Sequence, residues 1–152
     1  MPIRLSGVGL LLVAATLASC GGCPAPSEPA LVDSIAWTTS LPEAFAAARA
    51  AGKPVVVDVW ATWCGPCHML AEKSFPSPPV QALKERFVWA KVDSDQNEAV
   101  GLRYKIKGLP TILILDANGN EVDRLIGYVE GEKLAAFLSQ GLTKSRLMKP
   151  VS

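Results

Sequence analysis

Hydrophobic positions divide the chain into two unlike parts. Residues 5–18 form one apolar stretch behind the basic Arg4, with Leu10, Leu11, Leu12, Val13, Ala14, Ala15 and Leu17. Beyond residue 31 the apolar positions fall into short runs separated by turn formers. Ser40-Leu41-Pro42-Glu43 has capping-box spacing and predicts a helix to about residue 51, with Gly52 as its stop. Residues 54–60 are a continuous apolar run containing Val55, Val56, Val57 and Val59, as expected of a strand buried on both faces. A helix is expected over 64–73, broken by Phe75-Pro76-Ser77-Pro78-Pro79. A shorter one follows over 80–87, where Val80, Leu83 and Phe87 are spaced by three and four. Residues 88–93 read as a strand, 97–104 as a short helix and 111–115 as a β-branched strand. Asp116-Ala117-Asn118-Gly119 supplies a hairpin turn, and residues 121–126 pair back. A helix over 130–139, bearing Leu134, Phe137 and Leu138, closes the chain. The order α-β-α-β-α-β-β-α predicts the α/β class, its sheet parallel across the helical crossovers and antiparallel at the last hairpin.

The first apolar stretch has a different meaning. A basic start followed by roughly 7–15 apolar residues describes an export signal, too short for a stable membrane helix. It ends in Leu17-Ala18-Ser19-Cys20, which resembles the lipobox of bacterial lipoproteins. The resemblance implies cleavage before Cys20 and lipidation of that cysteine, so that several acyl chains anchor the mature protein. Gly21 after the cysteine resembles outer-membrane sorting, ahead of the inner membrane, in enteric bacteria. The run GGCPAPSEPAL that begins at Gly21 is rich in Gly, Pro and Ala, and reads as a tether with Cys23 as a bystander. The expected division is a signal over 1–19, a tether over 20–34, a folded domain over 35–143 and a tail over 144–152. Fifteen basic residues stand against fourteen acidic ones, and the signal removes Arg4, leaving a balanced chain. A mean hydropathy of +0.25 and 19% charged residues exclude a disordered polyampholyte. The near-neutral total argues against a nucleic-acid partner.

Four cysteines in 152 residues are too few for a disulfide scaffold, so their spacing carries the information. Trp63-Cys64-Gly65-Pro66-Cys67 falls where the buried strand passes into a helix, and a C-x-x-C at such a junction is a redox signature. A helix start brings the two sulfurs into bonding range, the first expected to be exposed and the second tucked behind. Unpaired N–H groups and the positive end of the helix dipole favour a Cys64 thiolate. Pro66 fits the first turn, where its missing N–H costs nothing. Asp58, among valines, is expected to have a raised pKa because burial disfavours its charge.

The stretch Trp63-Cys64-Gly65-Pro66-Cys67 resembles the active site of thioredoxins residue for residue. Asp58 matches the family's buried acid and Lys91, in Ala90-Lys91-Val92-Asp93, the lysine beside it. Gly108-Leu109-Pro110-Thr111 resembles the cis-proline loop, and Gly127 the later glycine that faces substrate. The resemblance covers about residues 37–140. Residues 72–93 are most similar to the C-terminal periplasmic domain of the membrane thiol:disulfide interchange protein. It implies a thioredoxin fold with a central mixed sheet of four to five strands flanked by helices. It implies that Cys64 attacks, that Cys67 resolves, and that Asp58 relays a proton to Cys67 with Lys91 beside it. The alternative for Asp58 is a structural acid merely paired with Lys91. Trp63, Gly65, Pro66, Leu109, Pro110 and Gly127 would form the substrate surface, Trp63 shielding the disulfide, and Trp60 would be core. Trp37 and Trp89 are expected to serve packing alone.

Other readings of the same residues remain. Cys64-Gly65-Pro66-Cys67-His68 also satisfies the C-x-x-C-H haem attachment pattern, with Met69 or Met148 as second iron ligand. That reading makes His68 an iron ligand and calls for a mostly helical wrap, which the strands oppose; without it, His68 is expected as an exposed residue on the active-site helix that modestly tunes Cys64. Cys20, Cys23, Cys64 and Cys67 have the count of a Cys₄ zinc site, but lipidation of Cys20 would destroy it. A binding lipoprotein using the fold as scaffold would not need an intact cysteine pair. The Gly-Pro dipeptide resembles reducing thioredoxins, which points to a reductase of protein disulfides. It would act in the periplasm as a lipid-anchored monomer with no cofactor or metal beyond its own disulfide, recharged by a membrane thiol donor. A reductase dedicated to cytochrome c maturation is the alternative, although the insertion usual after its active-site helix is missing.

Overall fold

The computed structural model describes residues 32–148. The stretch expected as a signal over residues 1–19, Cys20 and Cys23 lie outside the described residues. Ser40 caps the first helix, α1 (Leu41–Ala51), its Oγ accepting the Glu43 N–H at 3.4 Å. Only half of the expected capping box forms. The Glu43 carboxylate accepts from Thr38 Oγ1, whose oxygen in turn accepts the Ser40 N–H at 3.2 Å. Gly52 ends the helix with φ +65°, a left-handed cap that costs a residue without Cβ little.

Five strands form one sheet: β1 (Trp37–Thr38), β2 (Val55–Trp60), β3 (Val88–Asp93), β4 (Thr111–Leu115) and β5 (Glu121–Ile126), in the order β1-β3-β2-β4-β5. β1, β2 and β3 are parallel, and β4 and β5 are antiparallel to their neighbours. Two residues are too few to show a period, so β1 has no signature of its own in the sequence. Alternation along β2 sorts the core into two layers. Val55, Val57 and Val59 pack with Ala44 and Ala48 of α1 and with Tyr104, which follows α4 (Glu98–Arg103). Val56 packs on the other face with Leu70, Phe75, Trp89, Ile112 and Leu138. The second face is covered by the π turn that follows α2 (Gly65–Met69), by α3 (Pro78–Gln81) and by α5 (Gly131–Leu147).

Three expectations are corrected. The helix expected over 64–73 is α2 followed by a π-helical turn over Leu70–Ser74, in which the Phe75 N–H reaches back five residues to Leu70 O at 3.0 Å. That wide turn seats Phe75 in the core with no exposure. The single helix expected over 80–87 is split into α3 and a 3₁₀ turn over Lys84–Arg86, where Trp89 Nε1 donates to the Lys84 carbonyl at 2.8 Å. The last helix runs to Leu147, well past residue 139. Leu142 packs against the core and Ser145 is buried, so residues 144–147 belong to the domain and not to a tail.

The folded unit also begins earlier than residue 35. Asp33 accepts from the Ile35 N–H, from Trp37 Nε1 at 2.9 Å and from Gln81 Nε2, while Ser34 Oγ donates to Gln81 Oε1 at 2.7 Å. At the other end of α3, the start of α5 lies against the turn that follows the π segment. A Cβ on Gly131 would stand 2.5 Å from Ser77 Cβ and 2.1 Å from its Oγ. Gly131→Ala is therefore expected to destabilise the protein by about 1–3 kcal/mol, despite alanine's better helix propensity. Urea unfolding at neutral pH measures it, and an unchanged midpoint would contradict the close approach.

Candidate functional site

The end of β2 and the start of α2 place the cysteine pair. Cys64 is the N-cap of α2, with extended φ −86° and ψ 98°, and its Sγ accepts the Cys67 N–H at 3.2 Å. Pro66 occupies the first turn, where no N–H is needed. Cys64 and Cys67 are joined as a disulfide, their Cα atoms 5.3 Å apart. The expected contrast between an exposed and a hidden sulfur is not seen, since each cysteine is only 4% exposed. Ala61, Trp60 and Leu109 pack around the pair.

Trp63 is 70% exposed, and its Nε1–H donates to Asp95 Oδ2 at 2.8 Å. Trp60, expected as core, is only half-buried and packs against the cysteine pair. Sequence reasoning missed Asp95. The available signal was the strand register: Asp93 ends β3 opposite Trp60, which delivers the following turn to the rim of the site. His68 is exposed as expected, with its Nε2 2.8 Å from the Thr62 carbonyl, to which it can only donate.

Asp58 lies two residues before the end of β2 on the Val56 face, the layer that the π turn covers. It is 2% exposed, and its Oδ1 has no hydrogen-bond partner. Removal from water without a compensating donor pushes its pKa from the ordinary 3.8 to about 7, and the charge of Lys91 offsets only part of this. Lys91 is the register partner of Asp58 on β3, but the expected pairing takes another form. Among the described residues its ammonium makes no ion pair with Asp58. It stands 4.6 Å from the Trp37 ring centroid and 5.7 Å from that of Phe75, a cation–π seat. Trp37 thus does more than pack, although it also meets Phe75 and Trp89 edge-on at 4.9 and 5.3 Å. Trp89 is buried as expected.

The loop facing the disulfide carries the remaining residues. Leu109-Pro110 is a cis peptide, Pro110 is buried, and Leu109 touches the cysteine cluster. Thr111 Oγ1 donates to Gly108 O at 2.7 Å, closing the loop on itself. Gly127 donates its N–H to Pro110 O at 2.8 Å and has φ +91°, a conformation that disfavours any residue with a Cβ even though the space beside it is open. Gly65 and Pro66 are exposed beside Trp63. The structure therefore brings together Cys64, Cys67, Trp60 and Leu109, joins Pro110 to Gly127, and sets Asp58 and Lys91 within the sheet behind. A nucleophilic sulfur at a helix N-terminus, a resolving sulfur one turn inside and a buried acid able to hold or release a proton near neutral pH are the parts of thiol–disulfide exchange.

The comparisons agree. Residues 41–142 match the family model described as thioredoxin-like domain. A thioredoxin of Griffithsia pacifica is 40% identical over 77 residues, 51% of this chain and 68% of that one. The thiol:disulfide interchange protein DsbD of Pseudoalteromonas atlantica is 36% identical over 98 residues, 60% of this chain but only 17% of that protein. Among solved structures, a thioredoxin from Thermus thermophilus superposes with a TM-score of 0.66 at 30% identity, covering 74% of this chain and 90% of that one. The chain belongs to the thioredoxin-like family. It is a thiol:disulfide oxidoreductase whose redox centre is the Cys64–Cys67 disulfide. The haem reading falls with this fold, because the helical wrap it requires is replaced by a five-stranded sheet ending at the cysteines and the His68 Nε2–H is committed to Thr62.

Proposed function

We propose that the chain is a protein-disulfide reductase of the bacterial envelope, anchored through lipid on Cys20. The observation that carries the reading is the capped Cys64–Cys67 pair together with a buried Asp58, its Oδ1 without a hydrogen-bond partner, on the strand that leads into the pair. In the reduced enzyme the Cys64 thiolate attacks a substrate disulfide. A Cys64–substrate bond forms and one substrate sulfur leaves as thiolate. Cys67 then gives its proton to Asp58 and attacks Cys64 Sγ. The Cys64–Cys67 bond forms, the second substrate sulfur leaves, and two electrons have passed to the substrate. Leu109 and Gly127 flank the site as backbone and apolar contacts for the incoming chain. Trp63, Gly65 and Pro66 form the rim, and Lys91 tempers the field at Asp58. No cofactor beyond the disulfide is needed for this cycle.

Two electrons must return to the pair after each turnover, which in an oxidising compartment requires a membrane thiol donor. The match to DsbD, a protein named for thiol:disulfide interchange, supports that context, and the lipobox supports export. Redox titration against glutathione or dithiothreitol tests the direction of flow. A reductase requires a midpoint near the thioredoxin value of about −270 mV, whereas a midpoint above about −150 mV marks an oxidant or isomerase.

A further inference from the structure

The pole of the domain opposite the disulfide carries a surface that the redox reaction does not use. Register places Val55, Val88 and Leu115 level with one another at that end, while Trp60 and Asp93 lie at the cysteine end. Six residues of β2, at about 3.3 Å each, separate the two poles by roughly 20 Å. Lys53 precedes β2, Arg86 precedes β3, and Arg146 lies in the last turn of α5. The three line one shallow cleft, with Glu85 as its acidic member. No ion pair forms among these four, although the described residues include two elsewhere, Arg124–Glu121 and Lys144–Asp123. Glu85 also lines the adjoining cleft with Ser34 and Lys84, where the Lys84 ammonium donates to Ser34 Oγ at 2.6 Å. The point where the tether joins the fold and the basic cleft are thus one continuous surface.

Two exposed apolar side chains follow Arg146 at the end of α5, Leu147 at 81% and Met148 at 59%, and Val32, next to Asp33 and Ser34 in the sequence, is 69% exposed. Cations with exposed aliphatic side chains beside them are what an interfacial surface presents to a bilayer, the charges meeting anionic headgroups and the apolar groups entering the boundary. In the sequence, Cys20 lies thirteen residues before Asp33. Resting on the lipid anchor assigned above, we infer that this pole seats against anionic phospholipid and holds the disulfide outward, toward soluble substrates. Each basic residue near an anionic surface contributes roughly fivefold to binding at low salt.

Lysine footprinting of the full chain, expressed with its own leader, tests the inference. The protein is mixed with vesicles of phosphatidylcholine alone or of about three parts phosphatidylcholine to one of phosphatidylglycerol, floated, acetylated and mapped by mass spectrometry. On anionic vesicles Lys53 and Lys84 should label at least about threefold more slowly than on neutral ones, with Lys105 and Lys107 unchanged. Salt near 1 M, where screening extends only about 3 Å, should remove the protection. The combined Lys53→Glu, Arg86→Glu, Arg146→Glu variant should lose it while reducing insulin at the wild-type rate. Flotation on both vesicle types with equal labelling overturns the docking and leaves the anchor standing. Flotation and protection on anionic vesicles alone supports the docking and overturns the anchor, and flotation on neither overturns both. Protection of Lys53 without vesicles, growing with protein concentration, assigns the face to a second copy and overturns the inference.

Discussion

Replacing Asp58 by asparagine is expected to stabilise the oxidised protein by up to about 4 kcal/mol at pH 8, and by almost nothing at pH 4. The native carboxyl titrates near pH 7, against 3.8 without burial, because desolvation is not repaid by any hydrogen bond to Oδ1. Between those two values the native state holds a proton that the unfolded chain has released. Stability is therefore fully present below about pH 3.8 and is lost as pH rises to about 7. At about 1.36 kcal/mol per pKa unit the full shift amounts to about 4 kcal/mol, an upper bound, since Lys91 and local relaxation temper it. Asparagine fills the same space without a charge and escapes the loss. Urea unfolding of both proteins at several pH values, with the disulfide intact, measures the difference. A difference independent of pH would mean that Asp58 is paired or hydrated. The same variant should slow release of reduced insulin by roughly tenfold or more, because Cys67 loses the group that takes its proton.

The second large effect concerns the sulfurs. Cys64→Ser should lower insulin reduction by more than roughly a hundredfold, to the rate of free thiol, since a hydroxyl at the N-cap has no accessible anionic form. The cap itself survives, because serine is a preferred N-cap and accepts the Cys67 N–H as the sulfur does. Loss of activity should thus come without loss of helix. Circular dichroism beside the turnover assay separates the two, and an active Cys64→Ser enzyme would remove Cys64 from its assigned role.

Much of this site was legible in the sequence because its parts are local. A C-x-x-C at a strand–helix junction, a proline in the first turn and an acid among valines are each confined to a few consecutive residues. The four longer strands were readable for the same reason, since each has five or six residues in which its pattern shows. What escaped was set by tertiary contact. β1 has two residues and exists only because Trp37 pairs with Trp89 across the sheet. The end of α5 was obscured by Gln140, Gly141 and Thr143, which interrupt the apolar period, yet Gly141 is small because Ile114 Cδ1 occupies the place of its side chain. The ammonium of Lys91 found an aromatic seat in preference to Asp58, a choice that depends on where Trp37 and Phe75 meet. Trp63 turned to Asp95, thirty-two residues away. Asp33 and Ser34, read as tether, are clamped by Gln81, which no local pattern reveals.

The central claim is an exchange reaction that passes through a bond between Cys64 and substrate. Cys67→Ser removes the thiol that resolves that bond, so the first step proceeds and the second cannot. Expressed in a bacterium with the leader intact and quenched with acid, the variant should migrate on non-reducing gels as adducts with envelope proteins. Dithiothreitol should dissolve them, and additional replacement of Cys64 by serine should prevent them. Adducts that persist in the double variant, or their absence from Cys67→Ser while the wild type reduces insulin, would contradict the account.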